Sequence, residues 1–84
     1  MNPRVSKVVY AGDHQLLLTF TNNEVKRFDL NNYLHYPVYE PLKDEVFCKK
    51  VKTSGGTIQW NEYIDFDPDT LYLESEPVHS LEER

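Results

Sequence analysis

RVSKVVYAGDHQLLLTFTNNEVKRFDL, residues 4–30, consists of three apolar runs separated by two turn signals. In the first run, Val5, Val8 and Tyr10 lie in a β-branched and aromatic stretch from Arg4 to Tyr10. The turn formers Ala11-Gly12-Asp13 end it, so the first element is a strand. The second, Gln15 to Thr21, is richer in leucine but finishes on Thr19-Phe20-Thr21 and then meets Asn22-Asn23. Asparagine tolerates positive φ better than other non-glycine residues, so Asn22-Asn23 reads as a two-residue hairpin turn. The third, Glu24 to Leu30, alternates Val25 and Arg27 against Lys26 and Phe28 and pairs back onto the second. Connections this short leave one arrangement, a three-stranded antiparallel meander.

Downstream the pattern changes. Asp29 or Asn31 can accept hydrogen bonds from the free amides of a following helical turn, with Tyr33, Leu34 and Tyr36 on its apolar side and Pro37 as its stop. Pro41, at a first-turn position, opens helical structure from about Tyr39 to Lys50, as one helix or two short ones, with Leu42 and Val46 four residues apart on one face. Lys49 to Thr53 and Thr57 to Tyr63 flank Ser54-Gly55-Gly56, where paired glycines supply the positive φ of a tight hairpin. Asp67-Pro68-Asp69 is a cap, a proline at the first helical position and an acid in the first turn, so Asp67 to Tyr72 is a short helical turn. The expected fold class is α+β: a small antiparallel sheet (the meander plus a second hairpin), with short helices in the middle and near the C-terminal end. Residues 4–73 are read as one domain. Residues 74–84 are read as a flexible acidic tail, with Val78 and Leu81 its only aliphatic anchors.

An 84-residue chain with 39% hydrophobic and 27% charged residues can build one core. Its longest apolar stretches fall far short of the roughly 20 residues that cross a bilayer, and Met1-Asn2-Pro3-Arg4 leads into no apolar signal core. With a lone cysteine, Cys48, stability must come from packing, and the expected location is the cytoplasm. Residues 1–42 carry four basic and four acidic side chains, whereas residues 43–84 carry five against ten, which is the whole net charge of −5. From Asn61 onward eight acids face only Arg84, a field that repels phosphates and favours basic partners.

Several segments together, Leu17 to Phe20, Phe28-Asp29-Leu30, Phe47, Ile58 to Trp60 and Asp65-Phe66-Asp67-Pro68-Asp69-Thr70-Leu71-Tyr72, resemble the bacterial domain of unknown function 2442 over about Val5 to Tyr72. The resemblance implies a compact α+β domain without an established activity. It also implies a gene lying beside that of another small protein, as in toxin–antitoxin-like pairs. Some members of that family add a C-terminal helix-turn-helix, for which the dozen or so residues after Tyr72 are too few, so DNA contact is not expected. The glycine that usually follows the tryptophan strand is missing from Trp60-Asn61-Glu62-Tyr63-Ile64, which leaves the geometry of that turn open.

Among the candidate sites, Asp65, Asp67, Asp69 and Glu76 fall at positions 1, 3, 5 and 12 of a calcium loop. Thr70 stands where that loop needs glycine and Pro68 occupies position 4, so the acids are assigned instead to capping the helical turn and to its dipole. Trp60, Asn61, Tyr63 and Asp65 offer a small-ligand or enzymatic site in which burial beside an aromatic raises a carboxyl pKa, but no nucleophile or partner acid accompanies them. His14, His35 and His79 lack metal-ligand spacing and Cys48 lacks a catalytic signature. Lys49, Lys50 and Lys52 are too few for a nucleic-acid channel. No catalytic residue, metal or cofactor is expected. Tyr33, Tyr36 and Tyr39, at successive three-residue intervals, supply large contact area with few rotors to freeze, which favours a protein interface. The expectation is therefore an interaction module that pairs with another small, basic protein, with a free sheet edge as a route to a homodimer. A transcriptional regulator ranks last.

Overall fold

In the computed structural model, which describes residues 2–78, the meander forms as the sequence predicts: β1 (Val5–Tyr10), β2 (Gln15–Phe20) and β3 (Val25–Asp29), antiparallel in that order. Period-two burial divides β2 cleanly. Leu16, Leu18 and Phe20 are buried, while Gln15, Leu17 and Thr19 lie on the outer face.

The first hairpin turn takes Gly12, Asp13 and His14 through positive φ in succession (89°, 54° and 60°). Two of these residues pay a steric penalty for that conformation. The turn is held by Ala11 N–H donating to the Gln15 carbonyl at 2.8 Å and by His14 N–H donating to the Tyr10 hydroxyl at 3.0 Å. The second turn differs from expectation. Asn23 N–H donates to the Phe20 carbonyl and Phe20 N–H to the Glu24 carbonyl, so the loop has three residues, Thr21 to Asn23. Only Asn23 has positive φ, at 73°. This is the type I turn plus left-handed residue that ranks next to two-residue loops in hairpins, and it requires one left-handed residue rather than two.

The helical middle is tighter and more broken than the apolar spacing predicts. A 3-10 turn, Leu30–Asn32, starts directly after β3, with the Asp29 carboxylate accepting from Asn31 N–H. Pro37 does not stop a helix. It begins a second 3-10 helix, Pro37–Lys43, where its missing N–H costs nothing. Extended backbone at Asp44 separates that helix from α1 (Glu45–Cys48), which the Asp44 carboxylate caps through Val46 N–H at 3.0 Å. This break turns Leu42 and Val46, expected on one face, in opposite directions: Leu42 is buried and Val46 exposed.

The second hairpin, β4 (Lys52–Ser54) and β5 (Thr57–Asn61), closes through Gly55 and Gly56, and β6 (Ile64–Asp65) widens it into a three-stranded sheet in the order β4-β5-β6. Gly56 has a further reason to be glycine: a Cβ there would meet the Arg4 side chain at 3.1 Å, and its carbonyl accepts from Val5 N–H, which ties this sheet to β1. α2 (Pro68–Glu74) has the predicted cap, with the Asp67 carboxylate accepting from Thr70 N–H at 3.1 Å.

Beyond α2 the chain departs from the expected loose tail, because β7 (Glu76–Pro77) pairs with β3 and makes the first sheet four-stranded, β1-β2-β3-β7. Residues 79–84 of that expected tail lie outside the described residues. The architecture is thus α+β, two small antiparallel sheets with short helices. One core joins them: Phe20 and Phe28 from the first sheet, Ile58, Trp60 and Ile64 from the second, Leu42 and Cys48 from the helical middle, and Leu71 from α2. Each large side chain so buried is worth about 1.5–3 kcal/mol relative to exposure.

Lys26 interrupts the apolar inner face. Though a lysine, it is only 8% exposed. Its Nζ donates to the Tyr72 carbonyl at 2.6 Å, in the last turn of α2, and lies 3.9 Å from the centre of the Tyr72 ring. A cation satisfies a free carbonyl at the negative end of the helix while its aliphatic stem packs as core.

Candidate functional site

The tyrosine intervals acquire a physical meaning in the backbone. Tyr33 N–H donates to the Leu30 carbonyl, Tyr36 N–H to that of Tyr33 and Tyr39 N–H to that of Tyr36, at 2.8, 3.1 and 3.0 Å. Tyr36 and Tyr39 thus each close a three-residue turn on the tyrosine before, and Tyr33 closes one on Leu30. Extended backbone at Tyr36 separates the turn before it from the 3-10 helix that follows, yet the three rings gather in one cluster. Their centroids form a nearly equilateral triangle: 6.3 Å from Tyr33 to Tyr36, 6.2 Å from Tyr33 to Tyr39 and 6.4 Å from Tyr36 to Tyr39.

Phe66, just after β6, forms the floor. It stacks on Tyr39 at 4.6 Å with the rings 4° from parallel, and meets Tyr33 edge-on at 5.3 Å. Tyr33 also stacks on the buried Phe28 at 5.2 Å, so core aromatics hold two of the three tyrosines. Tyr36 has no such backing and is 48% exposed; Val38 beside it is 54% exposed. With Asp67 and Thr70 at the edge, these side chains line a shallow recess of about 320 Å³.

The surroundings are acidic. Burial, and then the Glu74 carboxylate, raise the Tyr33 pKa, and burial followed by Asp65 does the same for Tyr39. The Tyr39 hydroxyl donates to the Asp65 carbonyl at 3.4 Å. The described residues that line the recess include no lysine or arginine.

The other group of candidate residues is not brought together. Trp60 faces the core, where its indole N–H donates to the Cys48 carbonyl at 2.8 Å. The Asn61 carboxamide oxygen accepts from the N–H groups of Tyr63 and Ile64, which supplies the turn from which glycine is missing. Tyr63 projects outward, 77% exposed. Asp65 alternates with the buried Ile64 and Phe66 and is exposed, so it does not share the inward face with Trp60.

The calcium-like acids are likewise dispersed. Asp67 caps α2, Asp69 lies in its first turn and Glu76 pairs in β7 opposite Arg27. Among the described residues no group of three or more His, Cys, Asp or Glu side chains is disposed to hold a metal ion. Burial, with Glu45 nearby, pushes the Cys48 thiol up to about 11, away from the thiolate that reactive cysteines need. His14 is half-buried, its Nε2 enclosed without a hydrogen-bond partner; His35 is exposed, and His79 lies outside the described residues.

A larger cleft, of about 440 Å³, opens where the first hairpin turn meets the end of α2, with Asp13, Asp29, Glu74 and Glu76 around Arg27. Its walls are mostly charged and polar, so an occupant would gain little from burying apolar surface there, in contrast to the aromatic recess.

Phe66 is the site residue that the sequence reading passed over. Its signal is the alternation Ile64, Asp65, Phe66, which sends Phe66 inward and Asp65 outward. Among the described residues no helix is long and apolar enough to cross a membrane. The profile of the family described as "Protein of unknown function (DUF2442)" matches residues 5–77. No curated protein and no solved structure matches the chain.

Proposed function

We propose that this chain, which belongs to the family of proteins of unknown function DUF2442, is a protein–protein interaction module whose contact surface is the tyrosine recess. The observation that carries the reading is the group of four aromatic rings at which Tyr36 and Val38 remain about half exposed, on a support fixed by the core. Exposed aromatics on a rigid base are what interface centres are made of: large apolar area, few rotors left to freeze and a polar atom at the tip.

The partner is a second small protein, and a basic one, because the carboxylates around the recess repel acidic surfaces. A toxin–antitoxin-like gene pair is the setting that the family resemblance suggests, and the cytoplasm is the compartment that fits a chain with one cysteine and no disulfide. The second reading, a small-ligand site at Trp60 and Asp65, has less support, since Trp60 is spent on the Cys48 carbonyl and Asp65, on the neighbouring strand β6, is exposed.

Affinity capture from the native host, with the tagged chain and its Tyr36→Ala variant side by side, tests the reading. One small protein held at near one-to-one ratio by the parent and lost by the variant is the expected result. Retention by both would move the interface elsewhere on the molecule.

A further inference from the structure

We infer that the tyrosine recess receives an arginine side chain from the partner. This rests on the reading of the recess as the interaction surface and adds the chemistry of what enters it. The three tyrosine centroids, 6.2 to 6.4 Å apart, leave a position above their triangle from which a cation lies within roughly 6 Å of all three ring centres. Tyr39 stands at 84° to both other rings, so the seat is a corner with walls rather than a flat platform.

Charge complementarity selects the occupant. Asp67 lines the recess and keeps one oxygen beyond the one that caps α2, and Asp65, whose carbonyl accepts from the Tyr39 hydroxyl at 3.4 Å, brings a second negative charge near it. No cation of this chain lines the recess among the described residues. An apolar side chain would use the rings and leave the carboxylates unused; an arginine uses both. Its planar guanidinium stacks on a tyrosine face while its N–H groups reach a carboxylate at the rim, and it is less strongly hydrated than an ammonium, so entry costs it less than lysine. Lys26 over Tyr72 shows the same pairing of cation and tyrosine within this chain, where the cation is already committed to the α2 carbonyl.

A randomised heptapeptide library displayed on phage, selected against the full 84-residue chain, tests the inference. The affinities of resynthesised peptides are then measured on the parent, Tyr36→Ala, Tyr36→Phe and Asp65→Asn, with amide NMR spectra to establish that each variant is folded. The expected result is an arginine at one fixed position, with binding weakened about tenfold by Arg-to-Gln in the peptide or by Tyr36→Ala, and about threefold by Asp65→Asn. Tyr36→Phe keeps most of the affinity, because the ring face is retained. Peptides that depend on Tyr36 but carry proline or aromatic residues without arginine would overturn the arginine seat and leave the interface reading standing. A selection without any Tyr36-dependent peptide would overturn both.

Discussion

Two aromatic segments of this chain make opposite use of their rings. In Thr57–Phe66, Trp60 and Phe66 turn inward, and the one polar atom of Trp60 finds the Cys48 carbonyl inside the core. In Tyr33–Tyr39 the rings cluster as densely, yet Tyr36 stays half exposed. The difference comes from the backbone beneath. A strand alternates its side chains, so every second residue of β5 and β6 enters the core. The Tyr33–Tyr39 segment is a succession of short turns with extended backbone at Tyr36, which sets Tyr33 and Tyr39 against core aromatics and leaves Tyr36 half exposed. Aromatic content therefore says little about function until the repeat of the backbone that carries it is known.

The sharpest test of that contrast truncates one ring from each segment. Trp60→Ala removes a core side chain and leaves the Cys48 carbonyl without its donor, and should cost about 3–5 kcal/mol in urea unfolding. Tyr36→Ala should change stability by no more than about 0.5 kcal/mol, as substitutions at exposed positions usually do. Equal losses at the two sites would mean that Tyr36 is a core residue, and the recess would lose its claim to be an interface.

A middle-sized effect is expected at Lys26, a polar group used inward as Trp60 is. Lys26→Ala loses the packed stem and the donor to the Tyr72 carbonyl, and should destabilise by about 2 kcal/mol. Lys26→Met keeps the stem and should recover about half of that loss. If Met were as damaging as Ala, the ammonium rather than the packing would be holding α2 against the sheet.

How far the fold was legible follows from the same contrast. The meander can be read because period-two alternation and short turns leave one pairing, and the Gly55-Gly56 hairpin and the Asp67-Pro68 cap are local signals with local causes. The middle resists such reading because its prolines act by position. Pro37 is a stop if the helix precedes it and a start if the helix follows, and only the tertiary structure decides which. β7 was invisible in sequence, two residues of pairing with no apolar pattern. Lys26 was hidden for another reason, since a lysine at an inward register position reads as an error until the carbonyl it serves is seen.

At the candidate site, the tyrosine interval was visible, but its meaning depended on the turns between the tyrosines and on the core aromatics beneath them. Trp60, Asn61, Tyr63 and Asp65 were grouped by proximity along the chain, a poor guide in a strand, where neighbours face opposite ways.

The smallest expected effect lies in the titration of the recess itself. Burial first, and then Asp65, hold the Tyr39 pKa above its ordinary 10.0; burial and Glu74 do the same for Tyr33. A tyrosine whose pKa is higher in the folded than in the unfolded chain binds its proton more tightly when folded. The stability linked to that proton is thus fully present below pH 10 and is lost as the pH rises through the folded value. Ultraviolet titration should show a fraction of the phenols ionising late, and Asp65→Asn should bring Tyr39 part of the way back toward 10.0 by removing the charge while leaving the burial. If the late fraction were unchanged in Asp65→Asn, the Asp65 charge would not reach the ring that it is proposed to serve. The carboxylate side of the arginine seat would then fall to Asp67.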